Sequence, residues 1–413
     1  MTCCLLGLFR QPVAAQEPLE RNDFNIDAFT GPVLGSSRVV GMAGAHTALA
    51  TDIDGAHWNP ASFGSRPPYE LDWFEYGLSL SYFAPGLFGA DDFFNNGSGI
   101  DVDGFSFLSL GLRFQFGNFG FGGDTRIQTY TTGSGDDEVD ILMIESHVGV
   151  AYAFFDGQII FGLGARVADL RINLPDDTRL THFTGAGVEG GLLLKLADFP
   201  WRLGVAGRSP VESHAELVEG VEVIAGVKTV RGIIIPNKVY MPWQVQIGFA
   251  WQFGARPLNR KWIPAEDPQV GLESENEEAI DERTRNEYRV IPRTYWLISA
   301  DLILTGPTRN GIGVDGFVEQ VRRRSGEDLS LGFHLGAETE IVDNRLKLRA
   351  GFYLEPARNS DSVLRPHGTA GLEVRMFDWD FFGCFKPFGL KVSLTVDGAE
   401  RYLDIGIGIG VWH

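Results

Sequence analysis

Long hydrophobic runs are missing from these 413 residues: no stretch approaches the ~18 to 20 uninterrupted apolar residues that a membrane-spanning helix needs. Such a chain can enter a bilayer only as a closed sheet, because helices and closed barrels alone satisfy their backbone groups in lipid. Cysteine is scarce as well. Cys3 and Cys4 lie in a segment that reads as removable, which leaves Cys384 alone and excludes an internal disulfide. Positive charge is in deficit: 35 Lys and Arg stand against 54 Asp and Glu, and the net charge of −19 argues against a nucleic-acid partner, which would demand basic stripes. Neither G-x-S-x-G nor HExxH occurs, so an outer-membrane hydrolase has no recognisable nucleophile or metal motif, and neither catalysis nor a cofactor is expected.

What the chain has in excess is glycine, 52 of 413 residues or about 13% against a usual share of roughly 7%, together with 30 Phe. Glycine at that density weakens helices but suits strands that pack closely around a lumen. The last segment, 402–412, puts Leu403, Ile405, Ile407, Ile409 and Val411 on one parity and Asp404, Gly406, Gly408 and Gly410 on the other. A period of two is a β signal, and a glycine and carboxylate face opposite an apolar one fits lipid outside and water inside. Val245 to Phe253 opposes Gln244, Gln246 and Gln252 in the same way, as Leu108 to Phe116 opposes Ser109, Arg113 and Gln115.

Fourteen segments can bear strands: 72–84, 104–116, 118–130, 139–154, 158–172, 183–196, 200–209, 240–254, 293–305, 329–341, 345–355, 366–377, 387–397 and 401–412. A soluble sandwich would alternate similarly. Connection lengths favour the barrel, because those after segments 2, 4, 6 and 10 are tight while those after 1, 3, 5, 7, 9 and 11 are longer, matching short periplasmic turns and long external loops. Two connections break the rule: a tight turn around Asp397-Gly398, and residues 255–292, which carry a dense charge run. That insertion reads as a solvated spacer or surface helix, or as a docking element for a periplasmic partner. The fold class expected is all-β, a 14-stranded antiparallel transmembrane β-barrel over residues 71–413, in the outer membrane of a Gram-negative type of cell.

Residues 1–15 carry the apolar run CCLLGLF and then Val13-Ala14-Ala15, the small residues of a signal-peptidase site, although a basic n-region is missing. Residues 16–70 precede the barrel. Within them, Gly41, Ala43, Gly44, Ala45, Ala48 and Ala50 would make a thin helix for a confined space, Asp52 and Asp54 follow, and Trp58-Asn59-Pro60-Ala61 turns the chain.

The small residues, D-x-x-x-x-x-W-N-P-A and the strands that follow resemble the N-terminal region of the FadL-type outer-membrane transporters of hydrophobic compounds, and of the related PorV-type barrels. Pro242 with QVQIGFAWQF, WLISADLILT at 296–305 and LGFHLGAETEIVDNRLKLRAGFYLEPAR at 331–358 extend the likeness over most of the chain. The resemblance implies a barrel plugged by its N-terminal segment, with Trp58, Asn59, Pro60 and Ala61 at the plug motif and Gly41, Gly44 and Asp52 in a plug helix. It also implies a monomer that captures a hydrophobic small molecule, such as a long-chain fatty acid or hydrocarbon, and passes it inward. The approach RVVGMAGAHTALATD is closer to PorV-type barrels, which keeps open a scaffold that binds exported proteins, and His413 stands where such barrels usually end in Phe or Trp.

Inward-parity charges gather in the C-terminal third: His334, Glu338 and Glu340, then Arg345, Lys347 and Arg349, then Glu373 and Arg375, then Lys391. Adjacent strands alternate sign, so ion pairs along the lumen wall are expected, Glu338, Arg349, Glu373 and Arg375 among them, with a polar substrate path as the other reading. His46 and His57 flank Asp52 and Asp54, but their spacing matches no standard metal set and no metal is assigned. The acidic clusters Asp91-Asp92, Asp136-Asp137-Glu138 and Asp176-Asp177 fall in expected external loops, as lipopolysaccharide contacts through divalent cations or as solvated tips.

Overall fold

Alternating sequence becomes alternating wall. The computed structural model describes residues 17–66, 73–85, 92–95, 102–133, 138–214, 220–259, 293–359, 363–379 and 388–412. Residues 1–15, Asp91, Asp136, Asp137, positions 260–292 of the charged insertion, Cys384 and His413 lie outside them. The wall strands are β1 Phe74–Pro85, β2 Val102–Phe116, β3 Phe119–Thr132, β4 Val139–Phe154, β5 Ile159–Asn173, β6 Arg179–Leu194 and β7 Trp201–Arg208. They continue as β8 Gln244–Gly254, β9 Tyr295–Thr305, β10 Ser330–Val342, β11 Leu346–Glu355, β12 Arg365–Trp379, β13 Phe388–Ala399 and β14 Tyr402–Val411. Each pairs antiparallel with its neighbours in sequence, and β14 closes on β1 with Leu80 opposite Ile409, giving one closed 14-stranded barrel.

Parity sorts the side chains as expected. Val245, Ile247, Phe249, Trp251 and Phe253 point outward, while Gln246, Ala250 and Gln252 are buried in the lumen. Ile407 and Ile409 point outward while Asp404 is wholly buried inside. An apolar face of this height on a closed sheet has no partner sheet to cover it, so its partner is lipid. Aromatic side chains crowd one rim of that face, where the short turns are: Trp73, Phe119, Tyr152, Phe154, Phe199 and Trp296 are all well exposed there. Amphipathic tryptophan and tyrosine rings, here Trp73, Tyr152 and Trp296, settle at a membrane–water boundary.

The connections differ from the sequence reading in detail. The turn between β13 and β14 sits at Glu400-Arg401, three residues past the Asp397-Gly398 expected for it, because the ladder runs on through Ala399–Tyr402 and Arg401 supplies the left-handed φ of 56°. β8 starts at Gln244 and not at 240, since Lys238–Met241 leaves the wall to pair with the N-terminal strand Asn25–Asp27 and with Val211–His214. Asn25–Asp27 also pairs with Gly311–Ile312, so the long connections β7–β8 and β9–β10 and the N-terminal segment knit into one four-stranded cover. Its apolar residues, including Phe24, Ile26, Val239 and Phe317, join inward-facing Phe83, Phe107, Ile141 and Phe183 in one cluster.

An outward charge in mid-wall should be costly. Ile407→Arg is expected to weaken folding into lipid vesicles by about 2–4 kcal/mol, measured by denaturant titration; a change of less than half of that would contradict a lipid-facing β14.

Candidate functional site

From the cover, the chain descends through the lumen to the short-turn rim, and residues 33–66 form the plug. The single α-helix among its described residues, α1 at Ser37–Gly41, is capped by Ser36, whose Oγ accepts from the Val39 N–H. The long thin helix expected over the small residues does not form. Ala43, Gly44, Ala50 and Asp52 all take left-handed φ values, which end a right-handed helix, so Gly41 is its last residue and Gly44 and Asp52 lie in turns. The turns follow the wall: a side chain on Gly351 would collide with Ala43, and one on Gly204 with the Thr47 carbonyl.

Trp58-Asn59-Pro60-Ala61 makes the second wall contact. Asn59 caps the short 3-10 helix Pro60–Gly64, its Oδ1 accepting from the Ala61 N–H at 3.0 Å, while its Nδ2 donates to Thr47 O at 3.0 Å and to Leu192 O in β6 at 3.1 Å. A buried Asn that fills three hydrogen bonds across plug and wall cannot be exchanged without orphaning a partner. Pro60 occupies the first helical position, where its missing N–H costs nothing. The wall beneath is glycine by necessity: a Cβ on Gly162 would collide with Pro60 and Ala61, and one on Gly191 with the Asn59 amide. Phe63 then packs on Ala151, Ala153, Ile160 and Leu193.

α1 faces the opposite wall, where the lumen charges assemble. Arg38 binds Glu338 bidentately at 3.0 and 3.1 Å; Glu338 accepts from Arg349 at 2.6 Å; Arg349 donates to Glu373 at 2.9 Å; Glu373 lies 3.5 Å from Lys391, which reaches Asp54 at 3.2 Å. The chain of alternating signs thus begins and ends on the plug, and every member is buried or nearly so. Arg375 is not part of it. A bulge between Arg375 and Asp378 shifts the register, and Arg375 pairs with Asp378 toward the short-turn rim. Elsewhere wall side chains satisfy plug backbone: Asp301 accepts from His46 N–H and Thr47 N–H at 2.8 and 2.7 Å, Arg202 donates to Leu49 O and Arg113 to Ser65 O. Asp52 lies 3.5 Å from Arg113.

A third contact joins His57 of the plug to His147 of β4, Nδ1 to Nε2 at 2.9 Å, with Glu145, Glu189, Arg126, Arg166 and Arg208 around them. Burial, helped by the charges of Arg126 and Arg208, holds the His57 imidazole well below its ordinary pKa and so neutral. His46, paired with His57 in the sequence reading, lies apart, its ring nitrogens buried and without hydrogen-bond partners. The cluster was not foreseen, although Glu145, His147, Arg166, Glu189 and Arg208 all share the inward parity.

The plug divides the lumen. On the long-loop side a chamber lies between Phe29, Val33, Leu34 and Trp58 of the N-terminal segment, Met241 of the cover and Ile303, Tyr353 and Leu354 of the wall, with the histidine cluster as a polar floor. A neighbouring space lies on the far side of residues 28–31, lined by Phe93, Phe94, Tyr130 and Met143. On the short-turn side a further space is bounded by the charged chain from Arg38 to Lys391.

No family model and no curated protein matches the chain. Among solved structures, a Pseudomonas aeruginosa FadL homologue matches at 11% identity over 93% of this chain and 99% of that one, with a TM-score of 0.54. The CymD monoaromatic hydrocarbon channel matches at 10% identity over 93% and 97%, with a TM-score of 0.51. The chain has the FadL fold. At this identity the likeness carries the fold alone.

Removing Glu338 from this FadL-type lumen leaves Arg38 and Arg349 facing each other. Glu338→Ala should therefore cost about 3–5 kcal/mol of stability in vesicle unfolding, whereas Arg375→Ala should stay within about 0.5 kcal/mol; equal costs would refute the assignment. Gly191→Val should displace the Asn59 turn, seen as new protease cleavage within 38–66 in a barrel that keeps its heat-modifiable gel mobility.

Proposed function

We propose that the protein is an outer-membrane barrel for passive uptake of hydrophobic small molecules. The observation that carries this reading is the chamber above the plug, where Phe29, Leu34, Trp58, Ile303, Tyr353 and Leu354 supply apolar surface among polar wall residues, next to a second aromatic-lined space behind residues 28–31. A ligand burying about 200 Å² of apolar surface there gains about 5 kcal/mol. The polar floor and the charged space beyond give such a ligand no comparable gain, so release requires the plug to shift. The three plug contacts, at α1, at His57 and at Asn59 to Ala61, are the points where it would part from the wall. The fold shared with a FadL homologue and a monoaromatic hydrocarbon channel supports the same class of cargo.

A binding or scaffold role of the PorV kind is the second reading. The feature favouring it is a three-stranded sheet in the β7–β8 connection, at 221–224, 227–230 and 233–234, whose tip exposes Val223 and Ile224.

Uptake of a labelled long-chain fatty acid and of a monoaromatic hydrocarbon should be measured in cells that lack their own transporter. The intact chain is expected to support uptake. Deleting residues 38–61 should leave the barrel folded, merge the chambers, and admit hydrophilic solutes while selectivity for the apolar probes falls. Unchanged uptake and unchanged hydrophilic leak in that variant would end the proposal.

A further inference from the structure

At the chamber floor two imidazole nitrogens and a carboxylate oxygen converge. His57 Nδ1 lies 2.9 Å from His147 Nε2, and the same His147 nitrogen is 3.1 Å from Glu145 Oε1. His57 Nε2 lies 3.2 Å from the Arg208 guanidinium, so Nδ1 is the nitrogen turned toward the other two groups. Protons are one way to bridge these lone pairs.

The geometry matches another occupant. Nitrogen and oxygen ligands at about 2.0–2.2 Å around a tetrahedral ion are roughly 3.3–3.6 Å apart. The nitrogens of His57 and His147 and an oxygen of Glu145 all lie within 4.8 Å of one another. Asp124 offers Oδ2 at 4.0 Å from His57 Nδ1, and its Oδ1 is buried with no hydrogen-bond partner. His147 Nδ1 is held at 2.8 Å by Glu189, the carboxylate-to-histidine support that orients metal-binding imidazoles. Three guanidiniums oppose an added cation, but Arg126, Arg166 and Arg208 already face Glu145 and Glu189. Arg208 also has Gln244 at 3.2 Å to turn to once His57 Nε2 carries a proton. His57 and Glu145 line the chamber, which gives an ion its access.

We infer that His57, Glu145 and His147, with Asp124 as fourth ligand, bind a first-row divalent cation such as Zn²⁺ and staple the plug to strands β3 and β4. The cation clamps His57 next to Trp58, so the plug is held more firmly when it is bound.

The test uses the full chain in detergent, stripped with chelator and titrated with Co²⁺ as a spectroscopic probe. One equivalent should give the intense visible bands of tetrahedral cobalt, which Zn²⁺ then bleaches. His57→Gln should abolish the bands, and Glu189→Gln should weaken affinity by about 10–100-fold at unchanged stoichiometry. Zn²⁺ should also slow protease cleavage within 38–66. X-ray absorption of the zinc-loaded native chain needs no variant and should show two imidazole ligands. Absence of stoichiometric binding, bands that survive His57→Gln, or a metal shell without imidazole would overturn the site. Because each readout is binding rather than flux, its failure is separable from failure of the uptake proposal.

Discussion

Arg38 and Asp54 reach from the plug to the two ends of a charge chain in the wall, and the rest of the lumen follows from that contact. A barrel with lipid outside must turn its polar residues inward, and the lumen of a 14-stranded barrel is wider than its own side chains can fill. Glu338, Arg349, Glu373 and Lys391 neutralise one another only as an ordered row. The plug supplies the terminal partners. Without it, Glu338 and Lys391 would each keep one wall partner and lose the other, Arg38 or Asp54, on the plug.

The same constraint explains the glycines and arginines of the wall. A plug made mostly of turns has many backbone groups with no partner of their own, so Asp301, Arg113 and Arg202 supply hydrogen bonds from the wall. Close approach at Gly162 and Gly191 lets Asn59 bridge the plug to β6. Above this septum loops roof a lumen in which apolar and polar side chains mix; below it the walls are ionic.

Strand count, outward stripes and the alternation of sign from β10 to β13 could be read from the chain, because each depends on period two and on neighbours in sequence. Arg375 shows where that reading stops: its parity was right, but in register it stands opposite Lys391, a like charge, and its guanidinium pairs with Asp378 across a bulge in β12. The plug helix failed for a related reason. Small residues suggested a helix, while Ala43, Gly44, Ala50 and Asp52 adopt left-handed backbone in a segment packed against wall residues as near in sequence as Gly77 and as far as Gly351. Trp58 to Ala61 was legible as a turn, yet its hydrogen bond to Leu192 was not.

By itself the sequence determined a closed, glycine-rich barrel with an apolar exterior, since alternation and the lack of long hydrophobic runs are local properties that leave few ways to meet a bilayer. Tertiary structure alone decided which inward groups meet across the lumen. His57 and His147 stand 90 residues apart. What places them 2.9 Å from each other is the path of the plug, and that path is set by packing against all sides of the wall at once.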